Sequence, residues 1–189
     1  MNERVSQEVL RLADRTLWIV TASDGTAKGG LVATFVNSAS LVPSLPRLLI
    51  GLAPHHRTWQ LIRHSRSFAA HLVTEDRCDL IWRFGLASGR TSDKFSGIDW
   101  KYGQTGSPLI EAALGWLECS VEEEFDIGDR TIFVGAAIDA AIQGSGTPLT
   151  ASRMVALATA EQRERLRVDR DDDAALDAAA IVEWRNMRH

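Results

Sequence analysis

Between Gly30 and Trp59 the chain reads GLVATFVNSASLVPSLPRLLIGLAPHHRTW. Apolar residues alternate there with small hydroxyl or amide side chains at Thr34, Asn37, Ser38 and Ser40. Such a period of two belongs to a strand with one buried face. Pro43 and Pro46 bracket a turn, since proline brings no N–H to a strand ladder. A second apolar run from Leu48 to Ala53 follows and ends in His55-His56-Arg57-Thr58. Strands joined this closely must run antiparallel, because a parallel return needs a crossover of a dozen residues or more.

The rest of the chain extends that pattern. Val5, Val9, Leu10, Leu12 and Ala13 recur at helical spacing and predict a short amphipathic helix. Leu17 to Ala22 reads as a strand with Ser23-Asp24-Gly25-Thr26 as its turn, and Gly30 to Ser40 as one longer strand. Arg47 to Ala53 is another, after which Thr58 is placed to cap a short helix through Trp59, Leu61 and Ile62, ending near His64. Ser67 to Val73 is strand-like, Thr74 opens a helix carrying Leu80, Ile81, Trp82 and Phe84, and Gly85 to Gly97 reads as a loop. Leu114 to Phe125 and Arg130 to Ala141 form a hairpin around Asp126-Ile127-Gly128-Asp129. Hairpin succession without regular strand–helix alternation, and without a GxGxxG turn, points to an antiparallel barrel. From Ala151 the chain is rich in Ala, Arg, Glu and Asp, with helical spacing over 155–166 and 174–184. The expected organisation is a barrel domain over 1–146 and a helical extension over 147–189, too polar for a core of its own.

Composition excludes several classes. A net charge of −4 over 189 residues is the wrong sign for a dedicated nucleic-acid binder. No apolar run reaches bilayer-spanning length, and the charged start MNERVSQEVLRLADR lacks the apolar centre of a signal peptide. Cys78 and Cys119 lie far apart and outside any CxxC pattern, which argues against a cysteine metal site and for a reducing, cytoplasmic setting. Asp169 to Asp173 lacks the order of a calcium loop and reads as a solvated charge run, so no metal site is expected. Gly85 to Thr91 (GLASGRT) lacks the Gly-Lys-Ser/Thr of a phosphate loop.

Three constellations carry chemistry. In the first, strand ends bearing hydroxyls, amides and Arg57 suit a phosphate-bearing ligand, although Thr34, Asn37, Ser38 and Ser40 equally fit a solvent-facing strand edge. The second is Asp93-Lys94-Phe95-Ser96-Gly97 with Trp100 beyond it, which by residue chemistry is a loop with one anchoring aromatic. The third is Gly128-Asp129-Arg130, which by the same standard is a hairpin turn with an exposed arginine.

Taken in order, these segments resemble the flavin reductase-like family of FMN-binding split barrels. Ala33-Thr34-Phe35, Asn37-Ser38-Ala39-Ser40-Leu41 and Leu48-Leu49-Ile50-Gly51-Leu52 stand where that family has its flavin-contacting steps, with Ser44-Leu45 lengthening the proline turn. The resemblance implies a mainly β, antiparallel split β-barrel with short helices and a C-terminal helical extension. It implies FMN, with FAD as the alternative, held by Thr34, Phe35, Asn37, Ser38, Ser40, Ala53, His56, Arg57 and Thr58. Arg57 and Thr58 meet the phosphate, joined by His55 or His56, while Lys94 and Phe95 close a loop over the pocket. Gly128, Asp129 and Arg130 fall on the nicotinamide side, with Arg130 where the family has histidine. The implied activity is hydride transfer from NADH or NADPH to flavin, by a homodimer serving a monooxygenase or another electron-accepting protein. An electron carrier or a non-catalytic flavin-binding protein is the alternative. No side-chain acid or base is required, so no catalytic residue is assigned.

Overall fold

The computed structural model describes residues 2–86 and 93–188. In chain order the elements are α1 (Glu3–Leu12), β1 (Trp18–Ser23), β2 (Lys28–Ala33), β3 (Val36–Ser38), β4 (Arg47–Leu52), α2 (Arg57–Ser65) and β5 (Ser67–Leu72). A 3-10 turn (Glu75–Arg77) leads into α3 (Cys78–Leu86), and then come β6 (Trp100–Tyr102), β7 (Pro108–Ile110), β8 (Gly115–Asp126) and β9 (Thr131–Ile142). Helices α4 (Ala151–Leu157) and α5 (Ala160–Asn186) follow. Among the described residues seven strands form one sheet in the order β2-β1-β5-β8-β9-β4-β3, and β6 and β7 form a small second one. Every pairing is antiparallel.

The β8–β9 hairpin organises the sheet. Strand β5 pairs with 115–120 of β8, whereas β4 pairs with 131–136 of β9. Gly115 lies opposite Ile142 and Asp126 opposite Thr131, so the two wings leave the hairpin from opposite ends. Register shifts between Glu118 and Cys119 and between Val121 and Glu123 bend the hairpin at those points. The sheet therefore curls into a half-barrel. Leu31 and Ala33 from one edge share a core with Val36, Leu48 and Ile50 from the other, around Phe68, Cys119 and Phe133. Gly135 makes that packing possible: a Cβ there would stand 2.8 Å from the Phe68 ring and 2.9 Å from Cys119 Cβ.

Three details depart from the sequence reading. The strand expected over Gly30–Ser40 is two strands, β2 on β1 and β3 on β4. The chain crosses between sheet edges at Thr34-Phe35, where the Phe35 carbonyl accepts from Gly51 N at 2.8 Å. Alternation continues through that crossing and so hides it. Thr58 does not cap α2; His56 occupies the N-cap position without a side-chain cap bond, and Thr58 is buried in the first turn. The β6–β7 pair was not foreseen, because three-residue strands carry too little periodicity.

His71 ties that small sheet to the large one. Ile110 N donates to its Nε2 at 3.1 Å, so Nδ1 carries the ring hydrogen and bonds the Ile19 carbonyl at 3.0 Å. Burial pushes its pKa down to about 4. Glu118, fully buried, accepts from the Gln104 and Thr105 N–H groups at 2.9 and 2.7 Å and closes the 103–106 turn.

The C-terminal segment enters through a second core. Leu17 N donates to the Leu149 carbonyl at 2.9 Å, and Leu149 and Met154 pack with Leu17, Ile19, Phe84 and Ile110. The segment expected over 155–166 is divided at Ala158-Thr159, where α4 ends, and the rest of it runs on without a break through 174–184 as one 27-residue helix, α5, opened by a capping box between Thr159 and Gln162. The acidic run does not interrupt it, because Arg165 pairs with Asp169, and Arg167 with Glu164 and Asp171, at helical spacing. Residues 87–92, part of the expected 85–97 loop, lie outside the described residues, whereas Gly85 and Leu86 finish α3. Among the described residues no helix is long and apolar enough to cross a membrane.

His71 gives stability a pH dependence of definite sign. The unfolded chain takes up a proton near pH 6.5, but the folded protein resists it until about 4. This stabilisation is complete above pH 6.5 and is lost as the pH falls toward 4. Urea unfolding should show a loss of roughly 2 kcal/mol from this group between about pH 6.5 and about pH 5. His71→Gln, although less stable throughout, should lack that part of the slope.

Candidate functional site

A cleft of about 490 Å³ opens where four elements converge. Its walls are Gly29 to Val32 of β2, His55 to Thr58 at the start of α2, Phe84 to Leu86 at the end of α3 together with Lys94, and one face of α5. Arg165, Asp169, Asp172 and Asp173 form that last wall.

One end of the cleft gathers hydrogen-bond donors and positive charge. The chain leaves β4 at Leu52 and turns at Ala53, whose carbonyl accepts from His56 N at 3.2 Å. Helix α2 then begins at Arg57 without a side-chain cap, so its first N–H groups lack intrahelical partners. Lys94 Nζ donates to the Gly30 carbonyl at 3.0 Å and the Phe84 carbonyl at 2.7 Å. An ammonium has three N–H donors, which leaves one for the cleft. Burial lowers the Lys94 pKa to about 8, so the group is still mainly charged at neutral pH. His56 is different: burial first, then the charges of His55, Arg130 and Lys94, push its pKa down to about 4. It is therefore a neutral imidazole near pH 7.

Helix α5 supplies the opposing charge. Its half-buried side chains include Leu166, Asp169, Asp173, Asp177, Ile181 and Trp184, a stripe at one-turn spacing. Asp173 Oδ1 lies 3.4 Å from His55 Nε2. One turn on, Arg130 Nη1 and Nη2 donate to the two Asp177 oxygens at 2.8 and 2.7 Å, with both side chains less than a fifth exposed. The same guanidinium sits 5.4 Å from the centre of the Phe35 ring. Gly128, at φ +96°, lies flat under Trp184: a Cβ there would come within 2.8 Å of the Trp184 Cβ. Trp184 Nε1 donates to the Asp126 carbonyl at 3.2 Å.

The expected site residues thus separate into groups. His55, His56, Arg57, Thr58 and Lys94 are brought together around the cleft. Ala53 is buried beneath the turn, and Phe95 is buried in the second core against Phe84 and Trp100. Gly128, Asp129 and Arg130 are gathered against α5. Asn37 and Ser38 are exposed on the edge strand β3 and Ser40 is half-buried just beyond it; none of the three lines the cleft. Ser38 Oγ donates to the Ser40 carbonyl at 3.1 Å, and Ser40 Oγ accepts from Val42 N at 3.0 Å. Thr34 is half-buried and Phe35 exposed at the edge crossing. Sequence reading missed the α5 wall. Its only trace is the four-residue spacing of Asp169, Asp173 and Asp177, which looks like an ordinary solvated face.

Residues 10–163 match the family model described as the flavin reductase like domain. The chain belongs to the flavin reductase-like family. A high molecular weight rubredoxin from Moorella thermoacetica is 35% identical over 136 residues, covering 71% of this chain and 58% of that protein. The protein named flavin-dependent monooxygenase, reductase subunit HsaB, from Mycobacterium tuberculosis is 36% identical over 118 residues, 62% of this chain and 60% of its own length. The chain thus spans about three-fifths of the length of these curated relatives. Among solved structures, a flavin reductase domain protein from Arthrobacter sp. FB24 superposes with a TM-score of 0.69 at 25% identity, covering 78% of this chain and 89% of that one. Its likeness extends to the curled antiparallel sheet expected from the sequence.

The Arg130–Asp177 pair is the main polar attachment of α5 to this family's barrel. Asp177→Ala should weaken docking of the helix by roughly 1–2 kcal/mol, since two charged hydrogen bonds are lost and a mostly buried guanidinium keeps only Asp129 as its partner. Cleavage within α5 under limited proteolysis should accelerate about ten-fold, while the barrel's unfolding midpoint moves little.

Proposed function

We propose that the protein is an NAD(P)H-dependent flavin reductase that binds FMN in this cleft, with the phosphate at the start of α2. The observation that carries the reading is the convergence of an uncapped helix N-terminus, the Arg57 side chain and the inward Lys94 ammonium on one end of the cleft. This donor set suits a near-dianionic phosphate: backbone N–H groups, a guanidinium and an ammonium. Asp169, Asp172 and Asp173 on the α5 wall repel the same dianion and confine it to the α2 side. Bound flavin supplies a two-electron acceptor for nicotinamide hydride; the protein's share is binding, orientation and exclusion of water. Gly29 and Gly30 offer a backbone edge along the cleft, and α5 covers its outer side.

The electron donor in this reading is NADH or NADPH. Arg130 is already closed by Asp177, so it gives a 2′-phosphate no advantage while α5 is docked. The two donors should therefore support rates within a few-fold of one another. A homodimer is supported by apolar side chains left in solvent: Val5, Val9, Leu10 and Leu12 on α1, and Leu41, Val42 and Leu45 at the proline turn. The relative named as a reductase subunit of a flavin-dependent monooxygenase supports a monooxygenase as recipient of the reduced flavin.

Arg57→Ala should weaken FMN binding ten- to a hundred-fold, for a loss of roughly 1.5–3 kcal/mol, and leave riboflavin binding nearly unchanged. Isothermal titration with both ligands checks this, and equal losses for the two would remove the phosphate from the α2 end. Anaerobic addition of NADH or NADPH should bleach the oxidised-flavin absorption. Bound flavin that neither donor bleaches would identify an electron carrier instead.

A further inference from the structure

We propose that His55, His56 and Asp173 form a binding site for one divalent transition-metal ion, zinc in the first instance, which fastens α5 to the turn before α2. The ligand atoms of the three side chains all lie within 4.8 Å of one another. Neighbouring residues of an extended chain ordinarily point to opposite sides. Here the turn closed by His56 N on the Ala53 carbonyl brings the two imidazoles together, with ring centres 4.2 Å apart. The third ligand comes from an element more than a hundred residues away in sequence.

The spacing suits a small metal ion. Zinc bonds of roughly 2.0–2.1 Å in a tetrahedral site place neighbouring ligand atoms about 3.3–3.4 Å apart. His55 Nε2 and Asp173 Oδ1 stand 3.4 Å apart, already one edge of that tetrahedron. The remaining edges close with side-chain adjustments of about an ångström, which exposed or half-buried rotamers allow. Two imidazoles and a carboxylate favour zinc, iron(II) or nickel over magnesium and calcium, which prefer all-oxygen sites. All three residues line the cleft, so a fourth position is left open on that side. Asp169 and Asp172 on the same wall add negative potential against which a dication is stabilised. The cations Arg57, Lys94 and Arg165 also line the cleft and oppose it.

Such an ion would have a mechanical effect. Helix α5 has no buried residue; its polar attachments to the barrel include Asp173 to His55, Asp177 to Arg130 and Trp184 to the Asp126 carbonyl, and Leu166 packs against the second core. Metal coordination at Asp173 would turn the first of these into a bond that holds the middle of the helix.

The test uses the full, untagged chain, stripped with a chelator and free of flavin, so its outcome is independent of the reductase reading. Zinc titration by calorimetry should show one equivalent per chain. Cobalt(II) should give the visible d–d bands of a tetrahedral nitrogen–oxygen site without the sulfur charge-transfer band that Cys78 would produce. Zinc should raise the unfolding midpoint and slow proteolysis within α5. Asp173→Asn and His55→Ala change side chains that are partly in solvent, and each should preserve the circular dichroism spectrum. Each should weaken zinc by more than about 100-fold, exceeding the loss usual for outer-shell partners. Absence of saturable one-equivalent binding would overturn the proposal. So would binding that survives the combined Asp173→Asn and His55→Ala substitutions, which would place the metal elsewhere on the chain.

Discussion

The structure depends on the way two strands share one hairpin. Because β5 uses only the first half of β8 and β4 only the first half of β9, the sheet's wings start from opposite ends of a single twisted ribbon. The natural right-handed twist of strands then carries the two edges toward each other. What fills the interior is modest: Phe68, Phe133, Ile50, Val20 and their neighbours. Without a side chain at Gly135, Phe68 can lie close across the hairpin where a Cβ would collide with it.

That curl explains where the cleft lies. Strand β4 delivers the turn at Ala53 and the uncapped start of α2, β2 delivers Gly29 and Gly30, and Lys94 reaches in from behind α3 to bond the carbonyls of both walls. The result is an electropositive end made partly of backbone. Helix α5 lays an acidic stripe across it, so the region is a boundary between opposite charges. Arg130 and Asp177 neutralise one another there, and His55 meets Asp173 one turn earlier. A helix held by such contacts, with no side chain fully buried, has an adjustable attachment.

Much of this was legible in the residues. Alternation, proline and glycine punctuation and the Asp-Ile-Gly-Asp turn located most of the strands of the main sheet, because each is a local consequence of side-chain periodicity or backbone freedom. The cluster His55 to Thr58 was recognisable as a cationic turn from charge and position alone. The break at Thr34-Phe35 was not, since a strand that changes partners keeps its alternation. Nor was the position of Asn37, Ser38 and Ser40 on and just beyond the edge strand β3, away from the cleft: alternation does not say which strand lies at a sheet's edge.

By itself, the sequence determined a barrel of antiparallel strands, its cationic turn and a polar helical tail, because these follow from local pattern and composition. Only the tertiary structure decided that the tail from Ala160 to Asn186 is one unbroken helix, that its aspartates at 169, 173 and 177 face the barrel, and that Arg130 is closed by one of them. The reason is physical: a charged stripe at helical spacing has the same sequence whether its partner is water or a protein surface. Only the placement of that surface distinguishes the two.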